Sequence, residues 1–242
     1  RLLKKRVWCV VQVATVLLQF AARSGDELAQ EPKAESQTGR AKSATPAYGV
    51  KKKLQKERKS IKRGETVVLF EDECHLKHGD ATGYVWGRKG HRVSVPMLNE
   101  RQSKTFYGAL DLHSREFHLQ QHDWANMENT VQFLKWLLEE RYPLAKRIFI
   151  IWDGATFHTG HLVKDFLNTV NQGLKHSTWR IHCLLFASNA PDQNPIEDCW
   201  LKAKNYIRTR ILKNLTFAQT VQSFKNAFNA LDFDFNKLNW YL

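Results

Sequence analysis

An α/β fold, with a mixed central sheet flanked by helices, is what this sequence predicts, and two apolar runs and the text around them carry the expectation. Thr66–Phe70 (TVVLF) and Arg147–Trp152 (RIFIIW) are short, apolar and rich in β-branched residues, the pattern of buried strands. Between them lie several shorter strand patterns and one helical stripe. After them, helix and strand patterns alternate to the end of the chain.

From the N-terminus, the chain opens on Arg1, so its reading frame is expected to begin upstream. Basic Arg1–Arg6 and mostly apolar Val7–Phe20 superficially resemble the start of a signal peptide. The run is too short for the roughly 20 apolar residues of a membrane span, and Gln12, Thr15 and Gln19 interrupt it. A surface-packed helix or strand is expected there. Ser24–Pro46 is polar and aperiodic, as a linker would be.

Lys51–Arg63 holds eight basic residues against Glu57 alone: Lys51, Lys52, Lys53, Lys56, Arg58, Lys59, Lys62 and Arg63. The stretch suits phosphate contacts or a solvated basic helix. Beyond the first buried run, Tyr84–Trp86, Arg92–Val95, Thr105–Leu112 and Glu116–Leu119 read as strands separated by turn signals at Gly79-Asp80, Gly87–Gly90 and His113-Ser114, together an antiparallel meander. Asn126–Tyr142 carries a helical stripe that Pro143 stops. A helix around Gly160–Val170, a strand at Arg180–Phe186 and a loop at Ala187–Gln193 follow. Asn194-Pro195 then marks a helix start, because asparagine caps the first free amides and proline lacks the one it would leave unpaired. Thr216–Leu231 is a last helical pattern before the aromatic tail Phe233–Leu242.

Composition bounds the function. With 43% hydrophobic and 25% charged residues the 242-residue chain is globular. Lysine and arginine number 37 against 24 acidic residues, and the net charge of +13 points to a polyanionic partner. Cys9, Cys74, Cys183 and Cys199 are scattered without a C-x-x-C pair, which favours reduced, intracellular thiols over a zinc knuckle or a disulfide framework. No glycine-rich nucleotide-binding motif and no G-x-S-x-G is present, so the chemistry is sought among carboxylates.

Asp72 and Asp153 each follow a buried run, and Glu197 stands in the first turn of the last strong helix. Strand ends are where distant residues converge on one site, and carboxylates there suit hard divalent cations, which take oxygen ligands. Each has a bland reading too. Glu71 or Glu73 could replace Asp72, Asp153-Gly154 could simply open a turn, and Glu197, three residues after Asn194, could close a capping box.

Read together, VVLFEDECHL around Asp72, YVWGRKG from Tyr84, TFYGALDL from Thr105, FIIWDGATFH around Asp153 and APDQNPIEDCWLKAK around Glu197 resemble insertion-sequence transposases, in the bacterial branch of the Tc/mariner superfamily. The acids are 81 and 44 residues apart, and the second interval is near that superfamily's length. The resemblance spans roughly Lys51–Tyr241. It implies a DDE catalytic domain of ribonuclease H-like fold, with Asp72, Asp153 and Glu197 binding two ions of Mg²⁺ or Mn²⁺. It also implies cleavage of DNA at transposon inverted-repeat ends, strand transfer to target DNA, synapsis as a homodimer on DNA, and a cytoplasmic, nucleoid-associated protein with no membrane role. His158 is similar to a family histidine that orients neighbouring groups; Asn194, with Pro195 and Trp200, matches a helix motif that positions Glu197.

Lys51, Lys52, Lys53 and Arg58 are expected to contact DNA, and so are Lys204 and Arg208, which share the helical stripe of Glu197. The organisation expected is a poorly defined segment over 1–50, a basic connector over 51–64, the catalytic core over 65–212 and a helical tail over 213–242. The departure from the family is at the front, where no helix-turn-helix pattern precedes Lys51. Two other readings are therefore kept, an inactive remnant that only binds DNA and a nuclease that hydrolyses without joining strands.

Overall fold

The computed structural model describes residues 7–10, 45–82, 94–97, 101–186, 191–214 and 216–241. The expected strand at Tyr84–Trp86, most of the expected linker and the loop at 187–190 lie outside them. The chain divides into two compact units.

The larger unit comprises Lys42–His75, Lys104–Trp200 and Asp232–Leu242. It opens with α1 (Thr45–Lys62), which covers the expected basic connector and starts earlier. Val50, Leu54 and Ile61 form its buried stripe, and Glu57 pairs with Arg147. The strands are β2 (Thr66–Lys77), β4 (Ser103–Asp111), β5 (Phe117–His122), β6 (Arg147–Trp152) and β7 (Ile181–Leu185), in the sheet order β5-β4-β2-β6-β7. The two remaining strands, β1 (Val7–Val10) and β3 (Ser94–Met97), belong to the other unit. β4 and β5 are antiparallel, as expected of their part of the meander, whereas β3 pairs with β1 in a separate sheet; β2-β6 and β6-β7 are parallel. The sheet is thus mixed, and helices flank it.

Strand periodicity sorts the side chains onto two faces. Val67, Leu69, Ile148, Ile150 and Trp152 pack on one face against Phe133, Leu134, Leu137 and Val163. These come from α2 (Met127–Trp136), the wide turn Leu137–Arg141 that continues it, and α3 (His161–Val170). Asn126 caps α2 by accepting from Asn129 N at 2.7 Å. On the opposite face Phe70 packs on Phe186 and Tyr241, and Lys53 lies over the Phe149 ring. The expectation of a strand ending at Phe70 is corrected, since β2 continues to Lys77 and alternates buried and exposed positions beyond Glu73. A cluster of acids reads as a strand end in sequence. Here alternation lets the strand run on, with Asp72 turned to one side and Glu71 and Glu73 to the other.

α4 (Ile196–Arg208) begins in this unit, and its first turn is held by the C-terminal segment. Tyr241 Oη donates to Gln193 O at 2.6 Å and Lys237 pairs with Asp198 at 2.8 Å.

The smaller unit comprises 1–41, 76–103 and 201–231. β1 and β3 pair antiparallel in it. α5 (Phe217–Ala230) starts at a capping box formed by Thr216 and Gln219. Asn214 is buried and donates to Ile207 O at 3.1 Å, while Ser223 Oγ donates to its Oδ1 at 2.7 Å. No helix among the described residues is long and apolar enough to cross a membrane.

Candidate active site

The ladder between β2 and β6 runs at a constant offset, from Thr66 against Arg147 to Phe70 against Ile151. That offset is 81, the same as the sequence interval between Asp72 and Asp153. Each acid therefore lies two positions beyond the last pair of the ladder, Phe70 and Ile151. Asp72 lies within β2, while Asp153 is the first residue past β6.

Asp72 is half-buried, and Trp200 Nε1 donates to its Oδ2 at 3.1 Å. Burial, then the charges of Glu197 and Glu73, push its carboxyl up to about 8. A free carboxyl in this position resists ionisation because burial strips its hydration and two more negative charges stand nearby. Glu197 is exposed in the first turn of α4. The Asn194 side chain is buried, and its Oδ1 accepts from Ile196 N at 3.2 Å, which fixes the start of the helix that carries Glu197.

Asp153 is exposed, and its carboxylate turns to His158, with Oδ1 3.0 Å from Nδ1. It also accepts from Ala155 N at 2.9 Å. The bond from His158, opposed by partial burial and helped by the Ala155 amide, holds its pKa below the ordinary value. His158 is buried and stacked on Trp152, with ring centroids 4.4 Å apart and an interplanar angle of 6°. Its Nε2 lies 3.1 Å from Glu73 Oε1 and 3.4 Å from Glu71 Oε2. Burial disfavours the imidazolium, but hydrogen bonds to Asp153 and Glu73 and the charges of Glu71 and Glu73 outweigh it and raise the pKa to about 11.

The structure thus separates acids that sequence left interchangeable. Asp72 faces Trp200; Glu71 and Glu73, one residue to either side, face His158. A strand's period of two is the signal that separates them, provided β2 is known to extend past Phe70. Asp72 and Glu197 are brought within electrostatic range of each other. Oxygen donors of this kind fit Mg²⁺ or Mn²⁺, and the mutual repulsion around Asp72 is what a divalent cation would relieve.

The basic candidates are placed unevenly. Lys51, Lys52 and Arg58 are exposed on α1, and Lys53 is half-buried over Phe149. Lys204 pairs with Asp80 at 3.7 Å, and Arg208 donates to Asn205 Oδ1 at 2.9 Å.

A five-stranded mixed sheet flanked by helices is the ribonuclease H-like catalytic fold of DDE transposases and integrases. The match of residues 67–216 to the family described as DDE superfamily endonuclease makes the assignment specific: the chain belongs to that family. Among solved structures, the Mos1 transposase paired-end complex with the left transposon end has a TM-score of 0.50 and 15% identity, over 81% of this chain and 56% of that one. The catalytic domain of Mos1 mariner transposase has a TM-score of 0.48 and 16% identity, over 81% and 83%. The HTLV-2 integrase catalytic core domain in complex with magnesium has a TM-score of 0.42 and 12% identity, over 68% and 83%. The chain spans little more than half the length of the transposase in the paired-end complex. No curated protein sequence matches it.

Proposed function

We propose that this chain is the catalytic portion of an insertion-sequence transposase of the bacterial Tc/mariner branch, cutting DNA at the element's inverted-repeat ends and joining the freed 3′-hydroxyl to target DNA. The observation that carries the reading is the 3.1 Å hydrogen bond from Trp200 to Asp72, which ties the helix bearing Glu197 to the strand bearing Asp72. Family membership supports it, and so does the β2-β6 register, whose offset of 81 equals the interval between Asp72 and Asp153.

Asp72, Asp153 and Glu197 are the proposed catalytic and metal-binding residues, and their oxygens would hold Mg²⁺ or Mn²⁺, two ions in all. Such ions supply Lewis-acid polarisation of phosphate oxygens and lower the pKa of a water that attacks them. The protein's own groups do the rest. Trp200 keeps the Asp72 carboxyl oriented, Asn194 sets the start of the helix bearing Glu197, and His158 fixes the rotamer of Asp153. Exposed Lys51, Lys52 and Arg58, together with Lys53, Lys204 and Arg208, neutralise DNA phosphates. The catalytic core is proposed as 65–212, with 51–64 as a basic connector, 213–242 as a tail and 1–50 outside the core. Synapsis of two ends by a homodimer, in the cytoplasm at the nucleoid, completes the reading.

The test incubates labelled inverted-repeat DNA and target DNA with the protein and Mg²⁺ or Mn²⁺, and with its Asp153→Ala and Glu197→Gln variants. Joined products that vanish in both variants are expected. Nicked products without joining would assign a hydrolysing nuclease, and binding without cleavage would assign an inactive remnant.

A further inference from the structure

A second group of potential ligands sits beside the proposed catalytic acids. Glu71, Glu73 and His158 each offer one ligand atom, and the three atoms lie within 4.8 Å of one another. Glu71 is 1% exposed, and neither of its carboxyl oxygens makes a hydrogen bond among the described residues. His158 Nε2 is 3.4 Å from one of them, and Glu73 Oε1 is 3.1 Å from the same nitrogen. A buried carboxyl with no donor costs free energy unless something else neutralises it, and a single imidazole faces both glutamates.

We propose that Glu71, Glu73 and His158 form a second metal site, distinct from the catalytic acids, which takes one Zn²⁺ or a similar borderline transition-metal ion. Distances, donors and charge agree on it. Two ligands about 2.0–2.1 Å from a tetrahedral ion are separated by about 3.3 Å, close to the 3.1 and 3.4 Å between His158 Nε2 and the two glutamates. One imidazole nitrogen with two carboxylates suits zinc better than magnesium, which takes oxygen and keeps several waters. Two glutamates balance a divalent charge in a place closed to water.

The surroundings of the histidine have the form found around zinc ligands. With Nδ1–H donating to Asp153 Oδ1 at 3.0 Å, Nε2 faces the glutamates, and a metal ion that displaced its proton would take up the lone pair there. Trp152 stacked on the ring leaves the imidazole little freedom to turn away. A fourth position would fall to a second carboxylate oxygen. The ion would brace Asp153 through His158, so the site couples the interior of the sheet to the end of β6. This site stands without the transposase reading, because Asp72 and Glu197 take no part in it.

The test uses the whole chain carrying Asp72→Asn and Glu197→Gln, loaded with Zn²⁺, freed of loose metal and assayed by elemental analysis; Co²⁺ serves as the absorption probe. One retained equivalent is expected, with the intense visible bands of low-coordinate cobalt. Adding Glu73→Gln is expected to weaken Zn²⁺ at least tenfold while the far-ultraviolet circular dichroism stays unchanged. Glu73→Asp, which draws the carboxylate back by one methylene, is expected to do the same and serves if the glutamine variant does not fold. Zinc in a crystal, located by anomalous scattering, is expected among these three side chains. Failure to retain Zn²⁺ in the double variant, or affinity indifferent to both Glu73 variants, would overturn the proposal. Loss of DNA cleavage with Zn²⁺ still bound would bear on the catalytic reading alone.

Discussion

Trp200 Nε1 donates a hydrogen bond of 3.1 Å to Asp72 Oδ2, tying the helix that carries Glu197 to the strand that carries Asp72. The indole reaches that far because Gly108 on β4 has no side chain. A Cβ there would lie 2.5 Å from Trp200 Cη2 and 2.6 Å from Phe117 Cζ. Both are ring atoms in packed surroundings, and Phe117 itself meets Trp200 edge-on at 5.3 Å between centroids. Gly108→Ala is therefore expected to lower stability by about 1–3 kcal/mol in urea unfolding. It should also cut DNA cleavage more than it cuts DNA binding. A variant as stable and as active as the parent would mean that Trp200 is free to move aside.

Asp72 pays in stability for its position. Burial and the charges of Glu197 and Glu73 oppose its ionised form, so Asp72→Asn removes a repulsion as well as a ligand. In metal-free buffer the variant is expected to melt at or above the temperature of the parent, the usual trade between stability and activity at a functional site. Adding Mg²⁺ or Mn²⁺ should raise the melting temperature of the parent and leave the variant behind, since ligands stabilise the state that binds them. Thermal scans with and without the ion check both halves.

Acid sensitivity should centre on His118. Arg141 Nε donates to its Nδ1 at 3.2 Å, and its Nε2 bonds to Tyr142 Oη at 2.6 Å, which in turn donates to Asp111 Oδ2 at 2.9 Å. The ring is thus a neutral tautomer with both nitrogens used. Burial, and then the charge of Arg141, bring its pKa down to about 4. The unfolded chain takes up the proton near the ordinary value of about 6.5. Stability from this residue is complete above that pH and is lost as pH falls towards 4, by about 3 kcal/mol in all. His182, also held down to about 4 by burial, adds in the same window. His118→Gln should flatten the unfolding free energy between pH 6.5 and 4; an unchanged slope would remove the histidine from the account.

DNA binding should depend on α1 more than on α4. Lys51, Lys52 and Arg58 are exposed, whereas Lys204 already faces Asp80. Replacing all three α1 residues with alanine is expected to reduce the slope of log K against log salt by up to about 3, since each phosphate left without its cation takes away about 0.9. Lys204→Ala should change the slope by less than the equivalent of one phosphate. Binding titrations across salt concentrations decide between them.

Much of this protein was legible from the order of its residues. The runs around Val67–Phe70 and Arg147–Trp152 announce themselves because strands buried in a sheet need uninterrupted apolar, β-branched side chains, and β6 has the bounds its sequence suggests. The helix start at Asn194-Pro195 is equally local, depending on a side chain reaching a nearby amide. The acidic stretch Glu71–Glu73 was not legible in this way. Charged residues look like the end of a strand, and only the folded sheet shows which acids turn to Trp200 and which to His158.

What the sequence determined by itself is the order of elements, the basic character and the spacing of Asp72, Asp153 and Glu197, because these are properties of neighbouring residues and intervals along one chain. Tertiary structure decided the parallel register of β2 and β6, whose offset of 81 residues equals the interval between Asp72 and Asp153. It also decided the close approach permitted by Gly108 and the enclosure of Glu71 beside a single imidazole. Those depend on segments far apart in sequence meeting at a few ångströms, where packing and burial, not local preference, set the environment of each carboxylate.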